Sequence, residues 1–280
     1  MAQYSLYGKT AVVTGASGGF GSEITKILIK KYGCSVIGVG RTREKLERTA
    51  NSLGKFKKHF RYFLFDVSDK SAWEKFARTL EKRGVIPDIC INNAGMMPPF
   101  KSFDTVGSEG VLRVLEVNFL SVVYSAEYII PLLLKSPEGA FVNVASSAAF
   151  SPLAGCAAYC SAKAANKNFT MSLAQEYKGR LYISSVCPGV SDTELFRESS
   201  INETEARVMH TFGTDSKRVA KSILSGMEKG NELIIIGKDA RLMTAMSCTL
   251  PRVSQTVYGK VITQVDTPVF SGVHRGKEGK

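Results

Sequence analysis

Thr10-Ala11-Val12-Val13-Thr14-Gly15-Ala16-Ser17-Gly18-Gly19-Phe20-Gly21 is a short β-rich apolar run that passes through four glycines into helix-forming residues. Glycines in such a turn allow a tight bend, let the backbone approach a pyrophosphate and pack the helix against the strand, with phosphates at the helix N-terminus. Gly-rich turns also occur as purely structural features. The position here, directly after a strand and opening a βαβ unit, is the context that the phosphate-binding reading requires.

Outward from that turn, apolar runs alternate with helical segments, the pattern of a parallel sheet covered on both faces. Strands are expected at 10–14, 35–39, 61–65, 88–92, 140–145, 182–186 and 233–236, and helices at 21–31, 44–53, 71–83 and 158–177. Right-handed crossovers then give an α/β fold: a single doubly wound Rossmann-type domain with an about seven-stranded parallel sheet and ligands at the carboxyl ends of the strands. No repeat or Pro-rich linker divides the chain. Residues 1–270 are expected to form this one domain, including a C-terminal segment for substrate or subunit contacts, and residues 271–280, Gly-rich and basic, a flexible tail. The stretch 242–262 is mildly amphipathic and reads as a packing or dimer surface.

With 280 residues, 44% hydrophobic and 22% charged, the chain fills a sizeable core, which excludes disordered and fibrous classes. Its net charge of +12 raises anionic ligands, nucleic acid and acidic membranes, but the basic residues are spread without a block or interleaved aromatics, against nucleic-acid binding. Six cysteines (Cys34, Cys90, Cys156, Cys160, Cys187, Cys248) form no CxxC pair and the three histidines are scattered, so neither a zinc site nor a disulfide framework is expected. Runs such as Asp88-Ile89-Cys90-Ile91 read as buried, reduced thiols. No signal peptide and no membrane-spanning apolar stretch is evident, so a cytoplasmic setting without stable membrane insertion is expected.

The second strand ends Val39-Gly40-Arg41-Thr42-Arg43. NAD-preferring folds place an acid here for the ribose 2′-hydroxyl, whereas an arginine accommodates a 2′-phosphate. Gly40 withholds the acid and Arg41, with Arg43 as second choice, supplies a fork suited to phosphate oxygens. Farther on, Tyr159 and Lys163 stand four apart in a stretch of strong helix formers, so both project from one face. An ammonium beside a phenol favours the phenolate and lowers its pKa, making tyrosine a usable acid/base.

At these residues the chain resembles the short-chain dehydrogenase/reductase family, and its NADP-preferring members in particular, over about Lys9 to Thr193. Thr14–Gly21 is similar to the family's TGxxxGxG, Asn92-Asn93-Ala94-Gly95 to its NNAG, and Pro188-Gly189 follows the next strand as in the family. Ser146 lies thirteen residues before Tyr159, as in the Ser…YxxxK arrangement, with Ser147 as its rival. Asp66-Val67 stands where such enzymes contact the adenine, and Asn118 takes the place of the family's helix asparagine. The chain departs at Gly18, where many NADP-preferring members carry a basic residue.

The resemblance implies general acid/base catalysis by Tyr159, with Lys163 binding the nicotinamide ribose and lowering the phenol's pKa, Ser146 donating to the substrate oxygen and Asn118 supporting a water-linked proton path. Chemically the set is coherent, because hydride leaving an alcohol carbon builds a carbonyl while its proton departs from the same oxygen. Cofactor contacts are implied for Gly15, Ser17, Gly19, Phe20, Gly21, Arg41, Asp66, Val67, Asn93, Ala94, Gly95, Tyr159, Lys163, Pro188, Gly189, Val190 and Thr193, with no metal. Residues 192–213 are similar to the family's variable substrate lid.

The expected function is NADP(H)-dependent interconversion of a secondary alcohol and a ketone by a homodimer or homotetramer. Met96, Met97, Pro98, Pro99, Phe150, Leu153, Cys156, Leu195 and Phe196 are either pocket wall or ordinary packing. As wall they suit an apolar substrate such as a hydroxysteroid or, given the +12 charge, an anionic bile acid. A ketoacyl or other carbonyl reductase, and a non-catalytic dinucleotide-binding regulator, are the alternatives.

Overall fold

The computed structural model describes residues 3–192, 214–264 and Val273. In chain order these hold β1 (Thr10–Thr14), α1 (Gly19–Tyr32), β2 (Ser35–Gly40), α2 (Arg43–Ser52), β3 (Phe60–Leu64), α3 (Lys70–Lys82), β4 (Ile89–Asn92) and α4 (Phe103–Leu115). A π-helical turn (Glu116–Leu120) joins α4 to α5 (Ser121–Leu133), followed by β5 (Gly139–Val144), α6 (Ala157–Glu176), β6 (Leu181–Pro188), α7 (Ser216–Glu228), β7 (Leu233–Ile236), α8 (Lys238–Thr249) and α9 (Pro251–Gln264).

Seven parallel strands run in the order β3-β2-β1-β4-β5-β6-β7, with registers such as Val12 opposite Ile37 and Cys90, and Val142 opposite Ser184. The expected doubly wound sheet is present, with strand bounds within one or two residues of those read from the sequence. Ladder bonds account for such offsets: Phe65 N still donates to Gly40 O just beyond β3. Chain direction across the sheet reverses between β1 and β4, the switch point where a crevice opens at the carboxyl edge.

Central strands are apolar on both sides because helices cover both faces. Ile24, Leu28, Val219, Ile223 and Met227 from α1 and α7 fill one face; Trp73, Phe76, Ile129, Leu133 and Phe141 fill the other. Trp73 is fully buried and its Nε1 donates to Val67 O at 2.8 Å, anchoring the loop after β3. The amphipathic stretch 242–262 proves to be two helices, since Pro251 begins a new one after Leu250. Of the tail at 271–280 only Val273 is described, and it lies against Gly155.

Gly21 is indispensable to the opening turn, because a Cβ there would run into Gly15 O and lie 2.6 Å from Asn93 Nδ2. Gly21→Ala must therefore push α1 away from the turn. A lower thermal midpoint together with weakened NADP(H) binding, read by thermal unfolding with and without cofactor, is the expected result.

Candidate active site

Two loops at the switch point are stitched together. Thr14 Oγ1 accepts from Asn93 N at 2.9 Å and Ala94 N at 3.0 Å, while Asn93 Nδ2 donates to Thr14 O at 3.0 Å and Gly15 O at 3.4 Å. Asn93 thus shapes the turn that carries Gly15, Ser17, Gly19 and Phe20, the residues expected to contact the cofactor. Gly18 caps α1 without a side-chain hydrogen bond, and its first turn carries no acid. The first N–H groups of the helix therefore point at a place where an anion is welcome, and the close backbone approach fits a dinucleotide pyrophosphate.

At the other end of the crevice Asp66 sits between two guanidinium groups, Arg41 Nη1 at 3.7 Å and Arg113 Nη2 at 3.5 Å. Burial works to raise the Asp66 carboxyl, but Ser68 N and Oγ, donating at 3.0 and 2.7 Å, and the two arginines outweigh it and hold it below the usual carboxylate range. Arg43 is turned elsewhere, to Tyr62 OH at 3.3 Å and Glu47 at 4.0 Å, which leaves Arg41, 66% exposed, as the arginine facing this end. Val67 is buried beneath. Gly40 has a packing role besides the missing acid: a Cβ there would stand 3.3 Å from Leu46, which is fully buried.

Tyr159 and Lys163 project from the buried face of α6, near the carboxyl ends of β5 and β6. Lys163 is only 4% exposed, and Nζ donates to Val144 O at 2.9 Å and lies 5.7 Å from the Tyr159 ring centre. The expected lowering of the phenol by this ammonium does not govern it. Burial pushes the Tyr159 pKa up, hydrogen bonding with Ser146 draws it back, and the Cys156, Cys160 and Cys187 thiols raise it further. Burial also pushes Lys163 down, to about 8. Ser146, whose Oγ accepts from Ala148 N at 3.1 Å, is the serine that acts on the phenol's pKa, while Ser147 is buried, which favours Ser146 over its rival.

Asn118 sits in the π turn, and its side chain is spent locally. Nδ2 donates to Met96 O at 2.9 Å and Val114 O at 3.1 Å, and Oδ1 accepts from Met96 N at 3.1 Å. This clamps the strand-like stretch after Gly95 over the site. Met97, Cys156 and Ala148 are buried around Tyr159, with Met96, Phe100 and Leu153 partly buried against them. Of the residues left open between wall and packing, Met96, Met97, Leu153 and Cys156 thus form one apolar bed beside the phenol, whereas Phe150 lies under Lys167 Nζ, 4.5 Å from its ring centre. Leu195, Phe196, Thr193 and all of the expected lid except Asp192 lie outside the described residues.

Sequence reasoning missed three supports. Thr14 clamps the two loops, Arg113 shares Asp66, and Asp239 Oδ2 at the start of α8 accepts from Val190 N at 2.7 Å, pinning the Pro188-Gly189-Val190 turn. Only Thr14 carried a signal, its place at the strand end beside the glycines. All six cysteines are free and five are buried. Among the described residues no helix is long and apolar enough to cross a membrane.

A lysine buried with a lowered pKa destabilises the fold. Below about 8 the amine is charged in both states and the full penalty stands; between about 8 and the ordinary value of 10.5 the folded state gives up its proton first and the penalty shrinks. Lys163→Met removes that penalty together with the bond to Val144 O, so its stability relative to wild type should be most favourable at neutral pH and decline as pH rises from about 8 toward 10.5, while activity is lost. Urea unfolding of both proteins across pH checks the sign.

Comparison with known proteins agrees with this geometry. The family model for short chain dehydrogenases matches residues 9–204. The chain is 34% identical over 204 residues, 70% of its own length and 76% of the other's, to a benzil reductase ((S)-benzoin forming) of Saccharomyces cerevisiae. It is 32% identical over 187 residues, 67% of its length and 76% of the other's, to an NADPH-dependent pterin aldehyde reductase of Arabidopsis thaliana. In fold it is similar to a short chain dehydrogenase from Burkholderia cenocepacia solved in complex with NADP, at a TM-score of 0.75 and 21% identity, covering 91% of this chain and 98% of that one. With a glycine cradle at the switch point, a Tyr–Lys pair facing the crevice and a family match spanning both, the chain belongs to the short-chain dehydrogenases, a family of oxidoreductases.

Proposed function

We propose that residues 1–270 form one NADP(H)-dependent oxidoreductase unit, acting as a homodimer or homotetramer, that interconverts a secondary alcohol and a ketone. The observation that carries the reading is the buried Lys163 amine, fixed by Val144 O at 2.9 Å and 5.7 Å from the Tyr159 ring centre, with Ser146 near enough to draw the phenol's pKa down. A dinucleotide-binding regulator has no use for a proton donor set into an apolar bed. The bound nicotinamide supplies or accepts the hydride. Tyr159 gives the carbonyl oxygen its proton in reduction and takes it back in oxidation, Ser146 donates to that oxygen, and Lys163 holds the ribose and steadies the phenolate.

Arg41 supports the choice of NADP(H), and so does the NADPH dependence of the pterin aldehyde reductase that the chain resembles. For the substrate, the bed of Met96, Met97, Phe100 and Leu153 favours an apolar group beside the carbonyl. A hydroxysteroid or bile acid fits that description on lining and the +12 charge alone. The related reductases act on an aromatic diketone and a pterin aldehyde by name, which favours a compact aromatic carbonyl compound. Assaying benzil, aromatic aldehydes, keto-steroids and keto-bile acids with NADPH, by loss of the reduced cofactor's absorbance, decides among them. No turnover on any of these overturns the reading.

Tyr159→Phe keeps the ring and removes the hydroxyl, so NADPH should still bind while kcat falls about 10²–10⁴-fold. Ser146→Ala should lose most activity and Ser147→Ala little. Steady-state kinetics on the three variants test the assignment, and the opposite order for the serines transfers the role to Ser147.

For the cofactor, a charge-assisted phosphate contact is worth roughly 1.5–3 kcal/mol, so kcat/KM with NADPH should exceed that with NADH by about 10- to 100-fold. Gly18 argues for the lower end. Arg41→Ala should remove most of this preference by weakening NADPH alone; equal loss of both cofactors would make Arg41 structural. Gly40→Asp should reverse the preference, but its side chain also presses on Leu46, so the Arg41 variant is the cleaner measurement.

A further inference from the structure

Among the side chains that helix α6 buries, Tyr159, Lys163, Asn166 and Thr170 carry oxygen or nitrogen groups at helical spacing, with exposures of 8, 4, 1 and 0%. The first two belong to the proposed chemistry. Asn166 has no role in it, yet a buried primary amide is costly unless its bonds are made, and leucine or alanine would suit a packed helix better.

Its bonds go to one place that matters. Asn166 Nδ2 donates to the backbone carbonyl of Asn118 at 3.1 Å. That carbonyl lies in the π turn between α4 and α5, where the extra residue shifts carbonyl partners away from the ordinary helical ladder. The same Asn118 clamps Met96 N and O with its side chain. On the far side Thr170 Oγ1 donates to Asn166 O at 2.7 Å and accepts from Asn143 Nδ2 at 2.8 Å, and Asn92 Nδ2 donates to Asn143 Oδ1 at 2.8 Å. A buried polar chain thus runs from β4 and β5 through α6 to the π turn. Asn166 is the link in it that touches the turn.

We propose that Asn166 is a positioning residue for proton transfer at Tyr159: by holding the Asn118 carbonyl it fixes the π turn and the Met96 loop against the turn of α6 that carries Lys163. The inference rests on the reductase reading given above. A reacting group misplaced by an ångström loses much of its rate, and this bond ties the two elements that flank the reacting oxygen.

Asn166→Leu keeps the branching and the number of side-chain heavy atoms, is somewhat bulkier, and removes the donor. With benzil and NADPH, kcat should fall by about tenfold or more while KM for NADPH stays within about twofold. The loss of activity at high pH should begin earlier, because a hydrocarbon in place of the amide deepens the burial that already lowers Lys163. Thr170→Val is the matched control: it breaks the same polar chain one turn away without touching Asn118 O, and should lower the melting temperature yet leave the pH profile in place. Should Asn166→Leu fold poorly, Asn166→Asp keeps the size and donates only while its carboxyl is protonated, so its turnover relative to wild type should decline as pH rises.

A readout free of substrate separates this proposal from the reductase reading. Titration of Tyr159 in the NADP⁺ complex, taken as the ultraviolet difference between each protein and its Tyr159→Phe counterpart, should move to higher pH in Asn166→Leu. If wild type reduces no carbonyl compound, the reductase reading falls and the tyrosine titration still decides on Asn166. An unchanged titration and pH profile with only a lower melting temperature, or the same kinetic shift in Thr170→Val, overturns the proposal.

Discussion

A primary amine at 4% exposure is the most demanding feature of this molecule. Lys163 needs a carbonyl to donate to, and finds Val144 O where β5 ends. That contact fixes α6 against the carboxyl edge of the sheet, and with α6 come Tyr159 one turn earlier and Asn166 almost a turn later. Ser146, two residues beyond Val144, then comes near enough to the phenol to draw its pKa down. The strand end that feeds a carbonyl to the lysine therefore also delivers the hydroxyl partner of the tyrosine. Much of the crevice follows from that single buried donor and the strand that satisfies it.

Burial governs both titrating groups and moves them in opposite directions, the phenol up and the amine down. Charge proximity alone predicts the reverse for the tyrosine. The two effects differ because the amine's donor is directed at Val144 O and not at the phenol, while the apolar bed around Met97 and Cys156 desolvates both. A neutral phenol and an amine able to lose its proton near neutrality are a suitable starting pair for giving a proton to a carbonyl oxygen. The same desolvation that costs stability thus sets the chemical bias of the site.

What the sequence revealed follows physical lines. All seven strands of the main sheet were legible, because strands covered on both faces leave continuous apolar runs, whereas the two-residue pair Ser191–Asp192 and Thr214–Asp215 was not; the opening turn was legible because only glycines allow its close approach. The helical stretch from Phe103 to Leu133 was not, since Gly107, Gly110 and Pro131 interrupt its pattern and the π turn breaks its period. The site divided the same way. Tyr159, Lys163 and Ser146 are marked by spacing, while Asp239, Arg113 and Asn166 act through contacts between distant segments that no local pattern records. Even the direction of the Tyr159 pKa depended on burial, which spacing does not report.

The adenine end shows how such contacts refine a motif. Arg41 and Arg113 approach the same Asp66 oxygen at 3.7 and 3.5 Å, distances at which exposed ion pairs contribute little. Arg113 is also paired with Glu116 at 3.2 Å, so the group is charge-balanced as a whole and Arg41 is the more loosely held of the two arginines. A phosphate dianion offers more charge and more acceptor oxygens than half a carboxylate, so Arg41 can turn to it at small cost while Arg113 and Ser68 keep Asp66 neutralised. The carboxylate then serves to hold an arginine ready without binding it firmly.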